Sequence, residues 1–346
     1  MISRRPIPRL LASIPATGGT LKAEPGDFLV EEVPAYAPCG SGDHLFLWVE
    51  KIDLTGEQMI SRLARAFGVR PSEVGTAGTK DRHAVTRQWV SVPRAGSPLP
   101  DAGEGIRILD AAAHTNRLKT GHLRANRFVV RIRDVKPDPA GAAACAKQCL
   151  ERLSAEGIPN FFGPQRFGRD GETAAWGMSL IAGKGVPGHV TRSRHLLRLS
   201  LSAAQSLLYN EVLVRRMADG LYRRVIPGDV LKKVDSGGLF NADPASLDVD
   251  QARLQAGEIV HAGPMFGRRT FPALDEAARR ESAVLDDAEI TPDLLGRHGR
   301  LLEGTRRPDI VYPSGTSVEQ VPEGIVVAFT LPAGSYATVL LAEIMG

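Results

Sequence analysis

The sequence predicts an α+β protein in two domains: a strand-rich domain built from both ends of the chain, and a helix-rich α/β domain inserted into it. Three observations lead there. Period-two segments crowd the N-terminal part, helical spacing dominates from about residue 160 to 304, and strand character returns late in IVVAFTL, Ile325–Leu331. At 346 residues the chain also exceeds what one hydrophobic core usually serves. The expected boundaries are 1–157 and 305–346 for the first domain and 158–304 for the insert.

Taken in order, Leu21–Val33 reads as extended, broken by Pro25 and Gly26, with Lys22 near its head and with Phe28 and Val30 on one face. HLFLWVEK, His44–Lys51, has too many apolar residues for a surface strand and belongs in the middle of a sheet. Thr55 and Gln58 form a capping box, Met59, Ile60, Leu63, Ala64 and Phe67 recur at helical spacing, and Gly68 ends that helix. A polar loop, Gly78–Arg82, then runs into a strand carrying Thr86, Trp89, Val90 and Val92. Residues 95–105, rich in Pro, Gly and Ala, form a surface connection.

The next strand is Asn126–Arg133, with Asn126, Phe128, Val130 and Ile132 on one side and Arg127, Arg131 and Arg133 on the other. Residues 140–155 are helical, stopped by Gly157 and Pro159. NFFGPQRFGRDGE, Asn160–Glu172, has no periodicity and reads as a structured loop. Within the insert, Ser202 and Gln205 suggest a capping box ahead of Leu207 and Leu208. Helical spacing follows over Phe271–Asp287, and Thr291 with Pro292 opens another helix. The closing helix is expected to take Ser335 as N-cap with Tyr336 at its mouth, an N-terminus suited to an anion.

Composition narrows the chemistry. A net charge of +4 and a pI near 9.0 fit an anionic partner but do not require one. Cys39, Cys145 and Cys149 form no disulfide framework and no zinc spacing, which suits a reducing cytoplasm, and Cys145 with Cys149 read as small buried hydrophobes. The start, MISRRPIPRLLASIP, is not a signal peptide, and no stretch is apolar enough to span a membrane. Gly183-Lys184-Gly185 fails as a phosphate loop, and GxGxxG, HExxH and GxSxG are missing. A reaction carried by side chains, without metal or cofactor, is what remains. Glycoside hydrolysis usually wants two carboxylates, and only one, Asp81, is placed for chemistry.

On residues alone, Asp81 is either a carboxylate braced against a sheet or an ordinary solvated turn, and adjacent Lys80 need not pair with it. A buried Asn126 must find partners, either a nearby turn or a nucleobase edge stacked beside Phe128. The basic run Arg117, Lys119, Arg124, Arg127, Arg131 and Arg133 is either a phosphate-contacting face or plain solvated surface.

GTKDRHAVTRQWVSV, Gly78–Val92, resembles the G-x-K-D-x-x-A-x-T-x-Q signature of the tRNA pseudouridine synthase D (TruD) family. DFLVEEV at Asp27–Val33, HLFLWVEK, the Asn126–Phe128 segment, NFFGPQRFG at Asn160–Gly168 and LPAGSYAT at Leu331–Thr338 are similar to its other blocks, in its order. The resemblance implies a pseudouridine synthase core, a mixed, largely antiparallel sheet flanked by helices. It implies isomerisation of a tRNA uridine, at position 13 in bacterial members, with Asp81 as the catalytic aspartate. Phe28, Asn126 and Tyr336 would line the base pocket, with Phe128 beside them, Lys22 near the phosphate and Lys80 among the substrate-binding residues. Tyr336 stands where some members have Phe, and Ala125 replaces a glycine. The expected partner is tRNA, bound by a cytoplasmic monomer. An RNA-binding protein that keeps the cleft without catalysis and a uracil-releasing hydrolase are the alternatives.

Overall fold

Alternating apolar and polar residues at both ends of the chain build one twisted sheet. The computed structural model describes residues 7–94 and 99–346. Residues 1–6 of the basic start, and residues 95–98 at the head of the Pro/Gly/Ala-rich connection, lie outside the described residues. The chain divides into two compact units, one of residues 11–158 with 312–346, the other of 159–311 with the segment ending at Leu10.

In the first unit seven strands run in the spatial order Ser314–Val321, Gly324–Pro332, Leu123–Arg133, Phe28–Pro34, Val85–Pro93, His44–Ile52, Ile106–His114. Every neighbouring pair on this path is antiparallel except Phe28–Pro34 with Val85–Pro93. The sheet is therefore mixed and largely antiparallel, and Gly324–Pro332 joins it beside Leu123–Arg133 from the far end of the chain. His44–Ile52 is paired on both edges, as its apolar content requires.

The register sets one face. Phe128 lies opposite both Val30 and Phe329, Asn126 opposite both Glu32 and Leu331, and Thr86 opposite both Val30 and Lys51. Period-two alternation puts these side chains together. The other face carries a charged ladder in which Arg87 bonds Glu31 and Glu50, and Arg107 bonds Glu50. The helix Gly56–Phe67 starts at the Thr55/Gln58 capping box, ends at Gly68 (φ 64°), and buries Met59, Leu63 and Ala64 against Leu47, Val49 and Val90.

In the second unit the helices Glu172–Ile181 and Arg194–Ala218 pack beside a sheet of Leu239–Asn241, Val230–Lys233, Ile259–Met265 and Thr305–Pro308. Thr305–Pro308, expected in the returning half, pairs instead with Ile259–Met265, because its register places Arg306 opposite Pro264. The Ser202/Gln205 capping box does not form. The helix already begins at Ser193, whose side chain accepts the Leu196 N–H, so Ser202 lies mid-helix and its carbonyl accepts the Ser206 hydroxyl. Over Phe271–Asp287 the helix covers only Asp275–Asp287, since Pro272 and an extended Leu274 precede it. The closing helix is Ala337–Met345 with Tyr336, not Ser335, at the N-cap and no side-chain cap. Thr291 caps Pro292–Gly296 as its sequence suggests. Asn160–Gly168 is ordered by Asn210, whose amide oxygen accepts the Phe162 N–H and whose amide N–H₂ donates to the Phe162 carbonyl.

Candidate active site

Asp81 sits on the loop between the short strand Gly75–Thr76 and Val85–Pro93, over the face that carries Thr86 and Lys51. Its carboxylate is 29% exposed and lies 2.8 Å from Lys22 Nζ. Lys22 holds a left-handed backbone (φ 57°), unusual for a residue with a side chain. Its ammonium also stands 4.1 Å from the centre of the Phe28 ring. The strained backbone is the geometry at which one cation serves both the carboxylate and the ring face.

The loop is tied down from beneath. Lys51, with no exposed surface, donates from Nζ to the Asp81 carbonyl at 2.6 Å and to the Leu54 carbonyl at 2.7 Å. Burial pushes the Lys51 ammonium down to about 8 from its ordinary 10.5, with Asp81 acting in the opposite sense. Lys80 turns the other way from Asp81 and pairs with Glu32 at 2.9 Å, both side chains buried. Glu32 Oε1 also accepts the Trp89 N–H, and Gln88 Nε2 donates to the Gly78 carbonyl. A removed partner would leave a buried charge uncompensated, so these pairs resist loop movement.

Asn126 is half-buried, and its Oδ1 is enclosed with no hydrogen-bond partner; Thr86 Oγ1 and Ser335 Oγ are in the same condition. Such atoms are costly unless something supplies a donor. Phe28 and Phe128, 1% and 8% exposed, meet edge to face at 6.1 Å, and Phe128 stacks on Phe329 at 5.3 Å. They form the floor of the site, with Lys22 over Phe28. The turn after Pro332 bonds back through Ala333 N–H to the Arg124 carbonyl, then leads to half-buried Tyr336.

The structure thus brings Lys22, Phe28 and Asp81 into one cluster, and Asn126 and Phe128 onto the same sheet face. Lys80 pairs with buried Glu32 and not with Asp81. Of the basic run, Arg133 pairs with Asp27 and Glu323, and Arg131 pairs with Glu323. Lys51 and Glu32 are site residues that sequence reasoning missed. Both stood in strand segments in phase with buried positions, Glu32 with Phe28 and Val30, and a charged residue in such a phase is the signal. Among the described residues no cluster of three or more His, Cys, Asp or Glu could hold a metal, and no helix is long and apolar enough to cross a membrane.

The site is thus a loop-borne aspartate salt-bridged to a lysine, above an aromatic floor on a mixed, largely antiparallel sheet. A solved structure provisionally assigned to tRNA pseudouridine synthase D (TruD) from Methanosarcina mazei shares this fold, with a TM-score of 0.73 at 22% identity, covering 96% of this chain and 94% of that one. The family model for tRNA pseudouridine synthase D (TruD) matches residues 7–185 and 189–344. A tRNA pseudouridine synthase D of Anaeromyxobacter dehalogenans is 46% identical over 343 residues, covering 98% of this chain and 96% of the relative. One from Thermus thermophilus is 42% identical over 344 residues, covering 98% and 92%. The chain belongs to the tRNA pseudouridine synthase D (TruD) family.

Proposed function

We propose that this chain isomerises a uridine of tRNA, at position 13, to pseudouridine, with Asp81 as the one catalytic carboxylate and no cofactor. The observation that carries the reading is the Asp81 carboxylate, partly open to solvent on a loop whose backbone is held by buried Lys51 and whose counter-ion is Lys22. In this reaction the bond from uracil N1 to the ribose C1′ breaks, the base turns, C5 bonds to C1′ and gives up its proton, and N1 takes up a proton, so that product and substrate are isomers. No electrons enter and no water is consumed. Asp81 acts on the ribose, as nucleophile or base.

The target base must leave its stack, which costs a few kcal/mol, and the pocket must hold it while detached. Asn126 Oδ1 supplies an unmet acceptor for a donor on the nucleotide, and on this reading Tyr336 contributes a ring to the base pocket. Phe28 and Phe128 support the site from below. The same reading has the chain act on tRNA as a monomer in the cytoplasm.

The test is Asp81→Asn assayed on an unmodified tRNA transcript by tritium release from C5-labelled uridine and by carbodiimide-blocked primer extension. The expected result is no pseudouridine with tRNA affinity within a few-fold of wild type. Full activity in the variant refutes the role of Asp81. Binding without product in the wild type supports the non-catalytic RNA-binding alternative, and free uracil in place of pseudouridine supports hydrolysis.

A further inference from the structure

A concave region in the unit that carries Asp81 lies beside the start of the Asn126 strand, a pocket of about 730 Å³. Its walls include Tyr36, His44, His114, His122 and the exposed cations Arg117 and Lys119, and among the described residues no carboxylate lines it. An ordinary surface hollow on a chain with nearly balanced charge would mix both signs. This one presents two cations and four flat rings, with the neutral Ala37, Thr115 and Asn116 making up the rest of its wall.

The pocket is a built structure. The Tyr36 ring stacks on His114 at 5.3 Å and meets His122 edge-on at 5.6 Å. The Tyr36 hydroxyl lies 2.7 Å from His122 Nδ1, and His114, 8% exposed, accepts the Cys39 N–H at Nδ1. In the neutral ring that acceptance leaves the His114 proton on Nε2. His44 Nδ1 is enclosed and has no hydrogen-bond partner.

The pocket is also tied to the catalytic loop. Gly121 N–H donates to the Ala77 carbonyl at 2.8 Å, and Arg117 Nη2 to the Val74 carbonyl at 2.9 Å, both on the approach to Asp81. His122 precedes Asn126 by four residues on the continuous segment that forms the strand, about 13 Å at the usual rise of an extended chain. An occupant common to both places must be extended and anionic, with planar groups along it. Resting on the reading of the Asp81 site as RNA-modifying, we propose that this pocket binds a phosphate-bearing nucleotide of the RNA substrate next to the one being isomerised, with Arg117 and Lys119 on the phosphate and Tyr36 with its histidines against the base or ribose.

The test is the double substitution Arg117→Gln and Lys119→Gln, at two exposed positions, with thermal melting to confirm folding. Affinity for a fluorescent unmodified tRNA transcript is measured by anisotropy across 50 to 300 mM KCl. Each phosphate contact contributes roughly 0.7 to 0.9 to the slope of log affinity against log salt. The slope is expected to fall by about 1 to 2, with tRNA affinity reduced at every salt concentration. Unchanged affinity and slope overturn the proposal. So does a variant that loses uridine 5′-monophosphate binding, followed by histidine ring NMR signals, while tRNA affinity stays, since that marks a free-nucleotide site. Binding is read without turnover, so a wild type that forms no pseudouridine defeats the proposed reaction and leaves this measurement intact.

Discussion

Replacing Lys51 by methionine separates holding the Asp81 loop from holding the fold. The wild-type ammonium is buried at a cost set by its depression from 10.5 to about 8, which at 1.36 kcal/mol per unit is about 3 kcal/mol near neutrality. Methionine removes that cost but orphans the Asp81 and Leu54 carbonyls, each a loss of about 1 to 3 kcal/mol. The two effects nearly cancel, so Lys51→Met is expected to melt near wild type at pH 7. The sign with pH follows from the depressed value. Between about 8 and 10.5 the unfolded chain binds the proton that the folded one has released, so wild-type stability rises with pH over that window. The variant lacks this rise. Activity behaves otherwise, because the Asp81 backbone loses its anchor and a displacement on the order of 1 Å costs roughly 100-fold. Tritium release is expected to show kcat down about 10- to 100-fold with KM within threefold. A kcat within twofold of wild type, or a loss confined to KM, refutes the positioning argument.

Two further predictions concern the scaffold. A Cβ at Gly177 would sit 1.9 Å from the Ser200 carbonyl oxygen, so Gly177→Ala forces apart the helices Glu172–Ile181 and Arg194–Ala218 and should destabilise the chain by about 1 to 3 kcal/mol, read by urea unfolding; wild-type stability would show that the helices part freely. Asp27 is gripped by Arg133 through two bonds of 2.8 and 2.9 Å, which hold its carboxyl below the ordinary 3.8. Its contribution is complete above that value and is lost as pH falls through the folded one, so Asp27→Asn should flatten the acid limb of a melting profile, and an unchanged limb would contradict the pairing.

The sequence by itself determined what depends on near neighbours. Strand alternation put Asn126 with Phe128, the Thr55/Gln58 box started a helix, the apolar content of HLFLWVEK placed it centrally, and turn chemistry set Asp81 on a loop ahead of a strand. Local reading failed where one pattern suits two positions. Ser202 and Gln205 satisfy a capping motif, yet tertiary packing continues the helix through them, and Ser335 lost the cap to Tyr336 by one residue.

Partners across the sheet were decided only by tertiary structure. That Lys22 would meet Asp81, that Lys80 would turn from its neighbour to Glu32, and that Lys51 would reach a carbonyl thirty residues on all follow from strand order and register. An ion pair carries no periodic signal, because a charged side chain in a strand looks the same in sequence whether it faces water or a buried counter-ion. The phase of Glu32 and Lys51 with apolar residues marked them as buried, but only the folded sheet supplies the charges and carbonyls that make such burial stable.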